Sequence, residues 1–282
     1  MDNKLEAILK TNNFTPIGET NGIIKRLKGI VSNSKPNPEK LFVAEGIWLN
    51  DLINKTNTYV VSLIVCPEFI RTPEVIDLVE KLSKKSDDNF IVSEKTFLKI
   101  AEREKPDGII TISRLPKYDI KEFKTNDNSI VLVLDGIEIP GNIGTMIRVC
   151  DGAGIDGVIL THRKARLSHP KTIHSSLGSI LTVPIFEFED GNDCGKWLLD
   201  NGFKIYLADS RGEKKYFEEE YKGKTALVLG SERYGINREW YDLDHELVSI
   251  PMLGNMDSLN VGTAATILIY EAAMKKKFNL KR

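Results

Sequence analysis

The sequence predicts an α/β protein in which a small α/β domain precedes a larger one built on a parallel sheet. Short apolar runs alternate with segments of helical periodicity along most of the 282 residues, which is the pattern of strand–helix–strand units. In the second half, runs such as 130–134 and 226–229 are continuously apolar, as expected of strands buried on both faces. A polar stretch at 116–128 without strong periodicity separates the two series and is predicted to be a linker.

The first half is predicted to hold an N-terminal arm or short helix at 1–20 and one small α/β domain at 21–115. Thr72 and Ser93 are suitable N-cap residues, and Pro73 suits the first turn of a helix. The elements of this domain are expected in the order strand 41–44, helix 47–53, strand 59–66, helix 73–83, a strand and a helix within 89–102, and strand 107–115.

Residues 129–282 are predicted to form the second domain, which ends in a helix at 261–278. Three lysines at 275–277 stand near the end of that helix, where the helix dipole favours cations. Strands are expected within 129–137, 155–160, 182–188, 203–208, 225–230 and 247–252.

Composition limits the possible functions. The formal net charge is −1, so any RNA contact depends on local basic patches and not on a global positive field. Three cysteines without a CxxC pair argue against a disulfide framework, and the four histidines lack metal-ligand spacing, so no metal is expected. No run reaches the ~20 apolar residues that span a bilayer, and residues 1–10 are charged where a signal peptide is apolar. The protein is expected in the cytoplasm, away from membranes.

Three segments of the second half stand out. The first, Leu134–Arg148, runs from a buried strand through a loop with Pro140 and Gly141 into a helix near Asn142. A helix N-terminus offers unpaired N–H groups to a phosphate or carboxylate, and the long side chain of Arg148 is expected to reach back towards it. Taken alone, this arrangement is also the commonest one in α/β proteins.

The second segment, Leu227–Ile236, is a strand that enters the loop Gly230–Gly235, where glycine permits either the close approach of a ligand or simply a tight turn. The third, Ser249–Val261, leads into the last helix with Ser258 as its predicted N-cap. Asn260 then falls inside the first turn, where a polar amide suggests a ligand or a backbone group to be bonded.

Together, the order and spacing of these segments resemble the three motifs of the SpoU-type, or TrmH-type, RNA ribose methyltransferases of the SPOUT superfamily. The resemblance covers most of residues 129–282, and residues 25–46 are similar to the substrate-binding domain that often precedes the catalytic one. It implies S-adenosylmethionine as the methyl donor, RNA as the substrate, a homodimer, and an α/β catalytic domain with a C-terminal trefoil knot. General folding rules would never suggest a knot.

The resemblance also implies site residues. The cofactor would be held, largely by backbone groups, by Leu229, Gly230, Ile250, Met252 and Leu259. The catalytic set would be Asn142, Arg148, Glu232, Ser258 and Asn260. Because a guanidinium stays protonated, Arg148 is predicted to bind the neighbouring phosphate and orient the 2′-hydroxyl. Action of Arg148 as a general base is the weaker alternative.

Two basic clusters are candidates for phosphate contacts, although a solvated charged face is the default explanation of such clusters. The candidates are Lys25, Arg26 and Lys28 in the first domain, and Arg163, Lys164 and Arg166 in the second.

Alternatives to this interpretation stay open. Ribosomal RNA is the preferred substrate, with transfer RNA as the alternative; residues 137–142 also look like resistance enzymes that modify large-subunit ribosomal RNA. The intact catalytic set argues against a member that binds RNA without catalysis. A base-nitrogen methyltransferase would need an acidic base in the site. The run Gly152–Gly157 is not GxGxxG, so a helix C-cap explains it better than a dinucleotide site.

Overall fold

The computed structural model of the chain describes residues 2–277. Met1 of the predicted arm and residues 278–282 of the predicted second domain, among them the predicted helical residue Phe278, lie outside the described residues. The chain divides between Pro116 and Lys117 into two compact units, and Ser168–Pro170 is grouped with the first.

The first unit is built on one mixed sheet of five strands. Its elements are α1 (Asn3–Thr11), β1 (Thr15–Pro16), α2 (Gly22–Val31), β2 (Leu41–Glu45), α3 (Ile47–Lys55), β3 (Tyr59–Val65), α4 (Pro73–Ser83), β4 (Ser86–Ile91), α5 (Glu94–Phe97) and β5 (Ile109–Arg114). The strand order is β1-β4-β3-β5-β2, and β5 is antiparallel to both of its neighbours. The predicted strands and helices of 21–115 are present, although α5 is a single turn.

The predicted arm is wrong in one respect, because most of it belongs to the first unit. Asp2 caps α1 by accepting a hydrogen bond from the Lys4 amide. Leu5, Ile8 and Leu9 are buried, and this i, i+3, i+4 spacing places all three on one face of the helix. Strand β1 then pairs in parallel with β4. The contact of α1 with α4 and the pairing of β1 with β4 fix the segment to the first unit.

The second unit is built on a parallel sheet. Its elements are β6 (Ile130–Asp135), α6 (Pro140–Ala153), β7 (Gly157–Thr161), α7 (Pro170–Ser176), β8 (Ile185–Glu187), α8 (Gly191–Asp200), β9 (Phe203–Ala208), β10 (Lys224–Gly230), β11 (Glu246–Val248) and α9 (Val261–Lys277). The six strands lie in the order β11-β9-β10-β6-β7-β8, and every pair is parallel. All six residues of β6 are buried, which confirms the prediction of a strand covered on both faces.

The predicted linker at 116–128 is also wrong as a linker. Tyr118, Ile120 and Phe123 pack against the core of the second unit, and the ring of Phe123 lies 4.8 Å from that of Phe186. Aromatic side chains bury large apolar areas even without a helical or strand periodicity. The segment is therefore part of the second unit.

One local difference and one confirmation follow from the bounds of the elements of the second unit. The predicted strand at 247–252 ends at Val248, so the residues that follow leave the sheet. Helix α6 ends at Ala153, and the φ of 64° at Gly154 confirms the predicted C-cap. Within residues 2–277, no helix is both long and apolar enough to cross a membrane.

Candidate active site

The carboxyl ends of β9, β10 and β6 lie side by side at one edge of the parallel sheet, which is where open α/β sheets bind ligands. A cleft of about 810 Å³ lies there, within the roughly 300–1,000 Å³ usual for ligand sites. It is lined by Ile139, Ala208, Asp209, Ser210, Arg211, Leu229, Gly230, Ser231, Glu232, Tyr234, Gly235, Ile236, Tyr241, Val248, Ile250, Met252, Asp257, Ser258, Leu259, Asn260, Val261 and Ala264.

The cleft brings together most of the residues that the sequence singled out. The five predicted cofactor residues all line it: Leu229, Gly230, Ile250, Met252 and Leu259. Three of the five predicted catalytic residues line it as well: Glu232, Ser258 and Asn260. The second and third motifs therefore line the same cleft, with apolar side chains at Leu229, Ile250 and Leu259 and polar side chains at Glu232, Ser258 and Asn260.

The loop after β10 folds back on itself. The amide of Ser231 donates to the Gly235 carbonyl at 2.9 Å, and the amide of Gly235 donates back to the Ser231 carbonyl at 3.0 Å. A Cβ on Gly230 would overlap the Gly235 carbonyl group and the Ile236 amide nitrogen. Only glycine fits beside this hairpin, because any side chain would displace the chain at Gly235 and Ile236.

A hydrogen bond joins the first motif to the second. The side-chain amide of Asn142 donates to Glu232 Oε1 at 2.5 Å. Asn142 and Asn260 also line a smaller depression of about 300 Å³ together with Thr145. Four of the five predicted catalytic residues thus lie in or beside the cleft.

Asn260 and not Ser258 caps the last helix, so the predicted N-cap is wrong. Asn260 Oδ1 accepts a hydrogen bond from the Gly262 amide at 2.9 Å, two residues away as in an N-cap. Helix α9 begins one residue later, at Val261. The side chain of Ser258 is not used as a cap and lines the cleft.

Arg148 lies apart from this group. It is exposed on α6 and is not among the residues that line the cleft. Six residues along a helix correspond to a rotation of about 240° from Asn142, so the two side chains leave the helix in different directions. The prediction that Arg148 reaches back to the N-terminus of its own helix is not supported by this placement.

The two predicted RNA-binding clusters are distributed over both units. Lys25, Arg26 and Lys28 are exposed on α2, and Arg26 pairs with Glu39 at 2.6 Å. Arg163 and Lys164 are exposed after β7, while Arg166 is partly buried.

Sequence reasoning missed Asp135, a fully buried carboxylate at the end of β6. Its Oδ1 accepts from Thr161 Oγ1 at 2.8 Å and lies 2.8 Å from His162 Nδ1. Its Oδ2 accepts from the amide and the side-chain nitrogen of Asn237 at 2.7 and 3.0 Å. Asp135 thereby fixes the chain beyond the second motif to β6 and β7. The sequence did carry an indication, since a charged residue ends an otherwise apolar strand.

We expect Asp135→Ala to lower the free energy of unfolding by about 3 kcal/mol, because it leaves the buried Thr161 hydroxyl and the Asn237 amide groups without their acceptor. Urea denaturation would measure the change. Asp244→Ala, at an exposed position, is the matched control and should stay within about 0.5 kcal/mol of wild type. Equal stabilities for the two variants would contradict this role of Asp135.

A second missed group lies in the wall of the cleft. Asp209 directly follows β9, and its carboxylate accepts from Arg211 Nη2 at 2.6 Å, from Arg211 Nε at 3.0 Å and from Tyr241 Oη at 2.5 Å. The Arg211 guanidinium and the Tyr241 hydroxyl hold the pKa of Asp209 far below its usual range against the opposing effect of burial. A polar residue at the carboxyl end of a parallel strand could have identified this group from sequence.

A metal site requires several His, Cys, Asp or Glu side chains close together, and a disulfide bond requires two paired cysteines. Between residues 2 and 277, no cluster of three or more His, Cys, Asp or Glu side chains could hold a metal ion. Cys66, Cys150 and Cys194 are buried and free, and burial raises the pKa of the Cys66 thiol to about 12.

Residues 129–270 match the model of the SpoU rRNA Methylase family. The chain belongs to this family, as the resemblance predicted. A similar relative is a 23S rRNA (uridine(2479)-2′-O)-methyltransferase of Streptomyces viridochromogenes, 29% identical over 180 residues. That alignment covers 62% of this chain and 63% of the relative, so the chain spans less than two thirds of the relative's length.

Solved structures share the fold over nearly the whole chain. An AdoMet-bound rRNA methyltransferase from Sinorhizobium meliloti aligns with a TM-score of 0.83 at 23% identity, covering 95% of this chain and 99% of that one. The SpoU methyltransferase AviRb from Streptomyces viridochromogenes aligns with a TM-score of 0.79 at 22% identity, covering 92% and 99%. These likenesses confirm the predicted α/β fold.

Proposed function

We propose that this protein transfers the methyl group of S-adenosylmethionine to a ribose 2′-hydroxyl of RNA, with ribosomal RNA as the preferred substrate. One observation carries the proposal: the second and third motifs of the family line one cleft, and the first motif is hydrogen-bonded to it through Asn142 and Glu232. The named activities of the relative and of the aligned structures, methylation of rRNA and binding of AdoMet, support it.

The residues of the cleft suit S-adenosylmethionine. The cleft volume matches a ligand of this size, and Gly230, one of its lining residues, packs so closely against the backbone of Gly235 and Ile236 that no side chain fits there. Leu229, Ile250 and Leu259 would flank the adenine, while backbone groups of the same segments bond its edge. When bound, the donor supplies an electrophilic methyl group on a sulfonium.

The polar residues would then position the acceptor. Glu232 fixes the Asn142 amide, and Asn260 keeps its Nδ2 as a donor because its Oδ1 is used by Gly262. Asn142, Ser258 and Asn260 would orient the ribose. Arg148 would bind the adjacent phosphate through its planar donor pair and hold the hydroxyl in line with the methyl group.

The position of Arg148 favours a homodimer. Arg148 does not line the cleft of its own chain, so we infer that it enters the cleft of a second copy. Large apolar side chains near the motifs are exposed in the single chain, among them Leu253 at 98% and Met256 at 71%. Such exposure is usual for a surface that a partner covers.

We also infer that the chain around residues 229–261 forms a trefoil knot. Strand β11 lies at the edge of the sheet beyond β9, yet the following helix α9 contacts β10, β6 and α6. The connection at 249–260 must therefore return across the ends of the intervening strands, beside the hairpin of 231–235.

RNA contacts are assigned to both units. In the first unit, the RNA phosphates would be bound by Lys25, Arg26 and Lys28. In the second unit, they would be bound by Arg163, Lys164 and Arg166. Phosphate contacts provide affinity without base identity, so these residues do not determine which nucleotide is modified.

The test is methyl transfer from labelled S-adenosylmethionine to RNA from cells that lack this protein. The label is expected in ribosomal RNA, and 2′-O-methylation would protect one phosphodiester from alkaline cleavage. Label in transfer RNA alone would support the alternative substrate. Methylated bases, or RNA binding without any transfer, would contradict the proposed activity.

A further inference from the structure

We infer that Arg211 recognises the α-carboxylate of the methionine part of S-adenosylmethionine, and that Asp209 and Tyr241 hold its guanidinium in place for this purpose. This inference rests on the proposed function and assigns one end of the donor to one wall of the cleft.

The charges of the cleft point to Arg211. Among the cleft-lining residues, all of which belong to the described part of the chain, Arg211 has the one cationic side chain, while Asp209, Glu232 and Asp257 are acidic. The donor carries a single carboxylate close to two cationic groups, its ammonium and its sulfonium. One arginine among carboxylates is complementary to that pattern.

The guanidinium is held in a fixed orientation and keeps free donors. Its Nε and Nη2 are bound to Asp209, and Nη2 also donates to Tyr241 Oη at 3.1 Å. Its carbon lies 5.4 Å from the centroid of the Tyr241 ring, within the range of a cation–π contact. In the structure of residues 2–277, Nη1 has no assigned acceptor, so its N–H groups remain for a ligand.

The support for Arg211 comes from the interior of the fold. Its side chain is 74% exposed, but that of Asp209 is only 10% exposed, because Asp209 directly follows β9. Strand β9 pairs with β10, which ends at Gly230. Arg211 is therefore anchored one strand away from Gly230, which lines the cleft that we assign to the donor.

A cofactor carboxylate fits this position better than an RNA phosphate. Glu232 and Asp257 line the same cleft, and they would repel a polyanionic backbone placed there. Each of them would instead attract the ammonium or the sulfonium of the donor.

The test compares two ligands by calorimetry. S-adenosylhomocysteine has the carboxylate, whereas 5′-deoxy-5′-(3-aminopropylthio)adenosine keeps the adenosine, thioether and amine but lacks it. Arg211→Gln should weaken S-adenosylhomocysteine about 10- to 100-fold, as expected for loss of a charge-assisted hydrogen bond, and leave the second ligand within about twofold. Arg238→Gln, at an exposed arginine of the same unit outside the cleft lining, should change neither affinity.

Asp209→Asn tests the positioning role with the same pair of ligands. It should reduce the preference for S-adenosylhomocysteine without abolishing it, because Arg211 keeps its charge but loses its orientation. Equal weakening of both ligands by Arg211→Gln would overturn the inference, as would unchanged affinities combined with a raised KM for RNA. A wild-type protein that binds neither ligand would instead overturn the proposed function, and this inference with it.

Discussion

Arg148→Ala should lower the rate of methyl transfer to RNA by about 10³-fold, the range lost when a preorganised charged donor is removed from a transition state. Binding of S-adenosylhomocysteine should stay within a few-fold of wild type, because the proposed partner of Arg148 is a phosphate of the RNA and not the donor. The melting temperature should also be unchanged, since the side chain is exposed. Single-turnover transfer and calorimetry would measure the two effects separately.

Arg238→Ala is the control for this prediction, because it removes another exposed arginine of the second unit. Its transfer rate should equal that of wild type. Activity near wild type in Arg148→Ala would contradict the role assigned to this residue. Loss of cofactor affinity in parallel with activity would show that Arg148 supports the cleft and does not orient the acceptor.

A mixed dimer tests where Arg148 acts. Purified heterodimers of Arg148→Ala with Gly230→Val contain one site with an intact cofactor loop, and that site receives Arg148 from the other chain. They should keep about half of the wild-type activity if the arginine acts across the two-fold axis. Inactive heterodimers would place Arg148 in the cleft of its own chain.

Gly230→Val is the second large effect and should weaken binding of S-adenosylhomocysteine by about 100-fold. A Cβ at this position overlaps backbone atoms of Gly235 and Ile236, which cannot rotate away as a side chain could. The hairpin between Ser231 and Gly235 must shift, and the cleft wall shifts with it. Calorimetry gives the affinity, and circular dichroism shows whether the variant is folded.

Gly254→Val is the matched control, because an added Cβ there meets no atom within 4 Å and φ is not positive. It should bind S-adenosylhomocysteine as wild type does. Similar affinities for Gly230→Val and Gly254→Val would show that the close approach at Gly230 is not needed for binding.

Most of the architecture could be predicted from the sequence. Apolar runs such as 130–134 have to be strands covered on both faces, and they are found as β6 and its neighbours. Where local pattern was weak, prediction was wrong: residues 2–16 and 117–123 pack on the two cores through a few apolar side chains. Residues 3–11 do show helical spacing, but a short amphipathic helix does not reveal whether it packs on a domain, and the anchors at 117–123 have no regular spacing.

The sequence by itself determined the family and the order of the three motifs, because motif spacing and residue type are properties of the chain alone. Tertiary structure decided that Asn142 bonds Glu232, that Asn260 caps α9, that Asp209 holds Arg211 at the cleft, and that Arg148 stands away from it. Such contacts join residues far apart in the chain, or depend on the exact start of a helix. They are therefore set by how strands and helices pack, which no local pattern contains.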